Sequence, residues 1–289
     1  NGSERLRITA AGVTQVTGGL YAAQPGAGLY AFAAGTNAGS SGQATYATAV
    51  GPNAGYENQG ASSVAVGSSA GKTTQGANSV AIGSVAGRDN QGYASVSVGV
   101  QSGLTDQGTS AVAIGQSSGQ NTQGASAVAV GVNAGYGDPN DPDKGQGANA
   151  VAVGNSAGKT SQSGGAIAVG YGAGATTQGA DAVSIGYVSG NTDQGANSIA
   201  IGNRAGQTSQ GANGIIINSS GSARDYTSPD HIAIVSGQNK YLYYNGTNAW
   251  TFAGGPVNGL SGFRQNDAPV IDAKGLISTL STLRNATKD

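Results

Sequence analysis

The stretch YGDPNDPDKG, residues 136–145, holds the densest set of chemically capable side chains in the sequence. Asp138, Asn140, Asp141 and Asp143 are hard oxygen donors close together, the kind of set that holds Ca²⁺, and they form the candidate metal site. Their order departs from an EF-hand loop, and Pro139 and Pro142 are ordinary turn formers, so a solvated, proline-stiffened loop is the competing reading. In either case the segment projects. Tyr136, Asp138, Asn140, Asp141 and Lys144 are therefore the candidate contacts for a receptor. Catalytic chemistry is poorly served elsewhere. The single histidine, His231, lies in a strand-like run with no cysteine in the chain and no Ser/Asp pair at a recognisable spacing, and it reads as structural. Glycosidases need paired carboxylates, whereas the 14 acidic residues here fall mostly one per turn. No enzymatic activity and no resident cofactor are expected. No glycine-rich segment opens a helix as a phosphate-binding loop must.

Composition narrows the class. With 52 glycines among 289 residues and 9% charged residues, the chain is far from an ordinary globular domain. The same composition without a period would read as disorder, because it buries too little apolar surface to offset chain entropy. A net charge of −1 gives no basic footprint for nucleic acid and no polybasic membrane patch. No apolar run is long enough to span a bilayer as a helix, so no membrane insertion is expected. The first residue is Asn1 and no signal peptide is seen, which reads as a fragment or a processed product.

The period is what positions everything else. The phrase QGANSVAIGSVAG, residues 75–87, recurs every 16 residues. Gly83 and its equivalents run from Gly35 to Gly202 at that spacing, broken once by a step of 23 between Gly131 and Gly154. A second glycine follows four residues later, as Gly87 does, and a glutamine precedes the first by eight, as Gln75 does. A fixed period of this size is the signature of a solenoid. Within the unit Val80 and Ile82 alternate with Ala81 and Gly83, a strand period with one branched face and one very small face. Each unit then makes one flattened coil of two short strands and two glycine turns, and about twelve coils stack in parallel. The small column through Ala65, Ala81, Ser97 and Ala113 implies something packed very close, and a neighbouring chain sharing one core is the simplest candidate. The glutamine column reads as an amide ladder. A Thr column through Thr73, Thr105, Thr160, Thr176, Thr192 and Thr208, broken at Asp89, Asn121 and Lys144, keeps an ice-binding face as an alternative. Tyr56, Tyr93, Tyr136, Tyr171 and Tyr187 fall at differing turn positions and read as scattered surface aromatics, with stacking on sugars at these turns as the alternative.

The phrase SVAIG, residues 79–83, with its variants SVAVG, AVAIG and SIAIG, resembles the head repeats of trimeric autotransporter adhesins and also recurs in phage tail fibres. The resemblance covers about two thirds of the chain. The adhesin unit is usually shorter and lacks the regular glutamine. The block NGSERLRITAAG, residues 1–12, is similar to one found in phage fibre and appendage proteins. The run HIAIVSGQNKYLYYNGTNAWTFAGG, residues 231–255, is similar to the small β module that follows such repeats in tail fibres. Leu276, Leu280 and Leu283 fall at coiled-coil spacing. The resemblance implies an all-β, homotrimeric parallel β-roll: a β connector over 1–29, the roll over 30–221, a small β cap over 222–262, and a linker with the start of a coiled coil over 263–289. It implies a structural virion fibre that joins other tail proteins and attaches to a host cell-surface glycan or protein. A bacterial adhesin passenger at the cell surface is the alternative, weakened by the lack of an anchor barrel.

Overall fold

The computed structural model describes residues 27–236, together with the strands Arg7–Ile8, Thr14–Gln15, Lys240–Tyr244, Trp250–Ala253, Phe263–Gln265 and Ala268–Ile271. Most of the expected connector and the leucines of the expected coiled coil lie outside the described residues. The linker before those leucines contains an antiparallel pair, Phe263–Gln265 with Ala268–Ile271.

Two strands alternate along the chain, as the period requires. The first strand of each coil, such as Val80–Ile82, pairs in parallel with Val64–Val66 below and Val96–Val98 above, each residue opposite its equivalent 16 positions away. These strands build one continuous 15-stranded sheet, parallel from Phe32–Ala34 to Ile232–Ser236 and closed by two antiparallel strands, Lys240–Tyr244 and Trp250–Ala253. Thirteen parallel rungs at about 4.8 Å each make a rod of roughly 60 Å. The second strands, such as Asp89–Gln91, form a narrower sheet in two five-stranded blocks. The fold is an all-β parallel solenoid.

The two faces of the first strand are the reverse of the expected arrangement. Ala81 is fully buried inside the coil, while Val80 is half-buried and Ile82 is 40% exposed on the outside. The small column is small because of the chain's own glutamines, which occupy the space it faces. Gln91, fully inside on the second strand, sends its Nε2 to the Val80 carbonyl at 2.8 Å, bracing one sheet against the other across the coil. An alanine is what fits beside that amide. Where serine replaces it, Ser97 Oγ donates to Gln107 Oε1 at 2.8 Å.

The conserved turn geometry follows from the same crowding. A Cβ on Gly87, at φ +50°, would lie 2.7 Å from the Gln91 side chain, and one on Gly83, at φ +129°, would lie 2.6 Å from the Gly99 carbonyl oxygen. Both positions therefore exclude other residues.

The stack does not stop at residue 221. Ile232–Ser236 joins as a thirteenth rung, and Tyr226 pairs in register with Gln210. The interior changes character here: Ile216 takes the small position, and Ala200, Ala205, Ala233 and Val235 complete an apolar cluster against which Tyr226 packs. A terminal repeat with a different core is the usual way a solenoid ends.

Candidate functional site

The 23-residue step interrupts the regular part of the rod. Gly137 takes the first position of the second strand, its N–H donating to the Lys159 carbonyl at 2.8 Å. Gln146 takes the third position, bridging Gln123 and Gln162 in parallel. Residues 138–145 leave the rod between them, so the middle residue of that strand is missing and the second sheet splits into its two blocks. The first sheet continues without interruption, Val128 opposite Val151.

The excursion is a tight polar loop. Asp138 Oδ1 accepts from the Asn140 N–H at 2.9 Å, and Asp141 caps a short 3₁₀ turn, Pro142–Lys144, by accepting from the Asp143 N–H at 3.2 Å. Asp141 Oδ2 also pairs with Lys144 Nζ at 3.2 Å. These carboxylates thus serve the turn itself. Among the described residues no three acidic, histidine or cysteine side chains gather as a metal site, so the structure does not bring the four candidate Ca²⁺ ligands together. Asn140, Asp143 and Lys144 are exposed and Asp138 and Asp141 half-buried, so five of the loop's polar side chains do reach the surface. Tyr136 belongs to the regular coil instead, half-buried, with its carbonyl accepting from the Asn121 N–H at 2.9 Å.

The glutamine column is a continuous internal chain. Each Nε2 from Gln75 to Gln194 donates to the Oε1 of the next glutamine towards the C-terminus, at 3.0 to 3.4 Å, and the insertion does not interrupt it: Gln123 reaches Gln146, and Gln146 reaches Gln162, both at 3.0 Å. Gln75, Gln91 and their equivalents thus link successive coils from inside, with Gly83 and Gly87 in the turns around them.

Two tyrosine pairs depart from the scattered pattern. Tyr171 and Tyr187 stack with ring centroids 5.4 Å apart and planes at 12°, and Tyr30 and Tyr46 do so at 5.3 Å and 4°. Each pair is separated by one period of 16, which was the available signal.

His231 is wholly buried in the last coil, where its ring lies over Gly214 and 5.3 Å from the Tyr226 ring centroid. Its Nδ1–H donates to the Ser228 carbonyl at 2.6 Å. Burial pushes its pKa below the ordinary histidine value, opposed in part by that bond.

Among the described residues no helix is long and apolar enough to cross a membrane. Comparison with protein-family models, curated proteins and solved structures finds no match.

Proposed function

We propose that the chain is a structural virion fibre, a segment of a phage tail fibre, that assembles as a homotrimer and attaches to a glycan or protein on the host cell surface. It acts by mechanics and display, without catalysis, and its site of action is outside the cell as part of the virion, joined to other tail proteins.

The observation that carries this reading is the outward face of the first sheet. Its branched residues form an apolar strip along the whole rod, with Ile82 and Ile114 each 40% and Ile234 42% exposed. A contiguous strip of this length is far beyond the scattered apolar residues of a monomer surface and marks an interaction face. Three copies packed along it would bury it, and three is the number the repeat resemblance implies. The core inside each coil is made of alanine, serine and glutamine, which gives little hydrophobic stabilisation by itself. A shared interface supplies what the coil interior lacks. Three rods then carry three insertion loops, and multivalent display turns weak contacts into stable adsorption.

Light scattering during size exclusion tests the assembly: a mass near three times 27.9 kDa supports the proposal, and a stable monomer refutes it. Adsorption of the purified chain to a panel of bacterial cells tests attachment. The same rod suits a bacterial adhesin passenger, which an anchor barrel encoded in the same polypeptide would identify. An ice-binding face is less well supported, because the middle residue of the second strand is left-handed, as at Thr74 (φ 55°) and Asn90 (φ 56°), which kinks the sheet that would have to lie flat on ice.

A further inference from the structure

The missing strand residue in the insertion coil leaves a notch, and we infer that this notch is a binding cleft for a neutral sugar. In ordinary coils the middle of the second strand is filled, as by Asp106 in Thr105–Gln107. Here the excursion presses against one neighbouring coil, since a Cβ on Gly145 would lie 2.1 Å from the Thr122 carbonyl oxygen. What remains open is a cleft of about 380 Å³ whose lining includes Thr122, Pro142, Asp143, Ser161, Ser163 and the backbone of Gly147. This is at the small end of ligand pockets, roughly 300 to 1,000 Å³, and suits a mono- or disaccharide.

The chemistry of the lining selects the ligand. Among the described residues the side chains of Thr122, Asp143, Ser161 and Ser163 have no hydrogen-bond or ion-pair partner within the chain, whereas Asp141 beside them is committed to Asp143 N–H and Lys144. Three hydroxyls each donate and accept, and a carboxylate accepts two or more bonds. That set matches a ring bearing adjacent hydroxyl groups. No cation lines the cleft, so a phosphate or carboxylate ligand would meet only the Asp143 charge. A single carboxylate also falls short of the six to eight oxygens, roughly, that calcium takes. Pro142 adds a small apolar edge against which a sugar face can rest. Among the described residues only one coil carries this insertion.

The inference names the ligand class for the attachment reading and rests on that reading for its biological use. Its test uses the full chain, with glucose, galactose, mannose, N-acetylglucosamine, maltose and lactose as probes in saturation-transfer NMR and calorimetry. Three variants accompany it: Asp143→Ala, Ser161→Ala, and a regularised chain in which residues 138–145 are replaced by one asparagine, restoring the 16-residue spacing. Circular dichroism confirms that each is folded. At least one probe is expected to bind in the millimolar range, typical of a ligand of about twelve non-hydrogen atoms at low efficiency. Asp143→Ala should weaken it at least tenfold, Ser161→Ala about threefold, and regularisation should abolish it. Absence of signal from every probe, or binding unchanged in the regularised chain, overturns the cleft. Cell adsorption is scored separately: a regularised chain that has lost sugar binding but still adsorbs refutes the cleft's part in attachment and leaves attachment standing, while a wild-type chain that binds sugar but adsorbs to no cell refutes attachment and leaves the cleft.

Discussion

Replacing one interior glutamine should show how much of the rod depends on its amides. Gln178 is wholly buried; its Nε2 donates to the Ile167 carbonyl at 2.8 Å, the Ala182 carbonyl at 3.2 Å and Gln194 Oε1 at 3.1 Å, and its Oε1 accepts from Gln162 Nε2 at 3.0 Å. In Gln178→Ala some neighbours keep a partner: Gln162 Nε2 still reaches the Val151 carbonyl at 2.9 Å, and Gln194 Oε1 still accepts from Ser184 Oγ at 2.5 Å. The loss is therefore two to three net hydrogen bonds of about 1 kcal/mol each plus a small cavity, roughly 3 to 5 kcal/mol in all. Gln178→Glu keeps the shape but sets two acceptors against carbonyl oxygens and buries a charge, so at neutral pH it should be worse than alanine. Its carboxyl pKa must rise in the fold, so the variant binds protons more tightly folded than unfolded. Its stability should then be greatest in acid and fall as pH rises through the ordinary carboxylate range, about 4.3 and above. Solenoids open locally, so amide hydrogen exchange in the coils spanning 167–194 is the assay, with denaturant unfolding beside it. A Gln178→Ala chain within about 1 kcal/mol of wild type, or a Gln178→Glu chain equal to it at pH 7, would refute the view that the amides brace the coil.

Three further outcomes are expected. Val85 is β-branched yet held at φ 53°, so Val85→Asn should stabilise the rod by about 1 kcal/mol in denaturant unfolding, and a loss of stability would contradict the strain argument. Gly87→Ala should cost more than about 2 kcal/mol, since it combines a left-handed φ with a 2.7 Å clash on Gln91; a melting temperature unchanged from wild type would count against it. His231 is neutral in the fold and more readily protonated when unfolded, so its contribution is complete above pH about 6.5 and shrinks as pH falls below that value; His231→Phe should remove this part of the pH dependence, measured by hydrogen exchange in the last coil.

The coil, its register and its two glycine turns were legible because identical residues recur at one spacing, and only a stack puts equivalents opposite one another. The inward face was not. Reading Val80 and Ile82 as the interior follows from ordinary strands, where branched side chains fill a core, but here a glutamine crossing from the other sheet leaves room only for Ala81. The thirteenth rung is hidden in the sequence because its markers change together: Val235 stands where the glycine would recur, Tyr226 where Gln210 would, and Ile215 to Ile232 is a step of 17. In the insertion, proximity of acids in sequence suggested a shared cation, whereas Asp138 and Asp141 turn to backbone N–H groups two residues ahead, as short acidic side chains in loops do. The notch beside them is a property of a residue missing from a strand, and no pattern of residue types announces that.

The glutamine chain also has an arrow. From Gln75 to Gln194 every amide gives its nitrogen to the C-terminal neighbour's oxygen, a run that ends on Gln210, while the Oε1 atoms of Gln43, Gln59 and Gln75 accept no bond. One reversed amide would set oxygen against oxygen along the chain and against the main-chain carbonyl its Nε2 serves, as Gln91 Nε2 serves that of Val80, so the direction is fixed anew in every coil. The axial components of the side-chain amide dipoles therefore share one sense along the rod instead of cancelling, in a chain of almost no net charge.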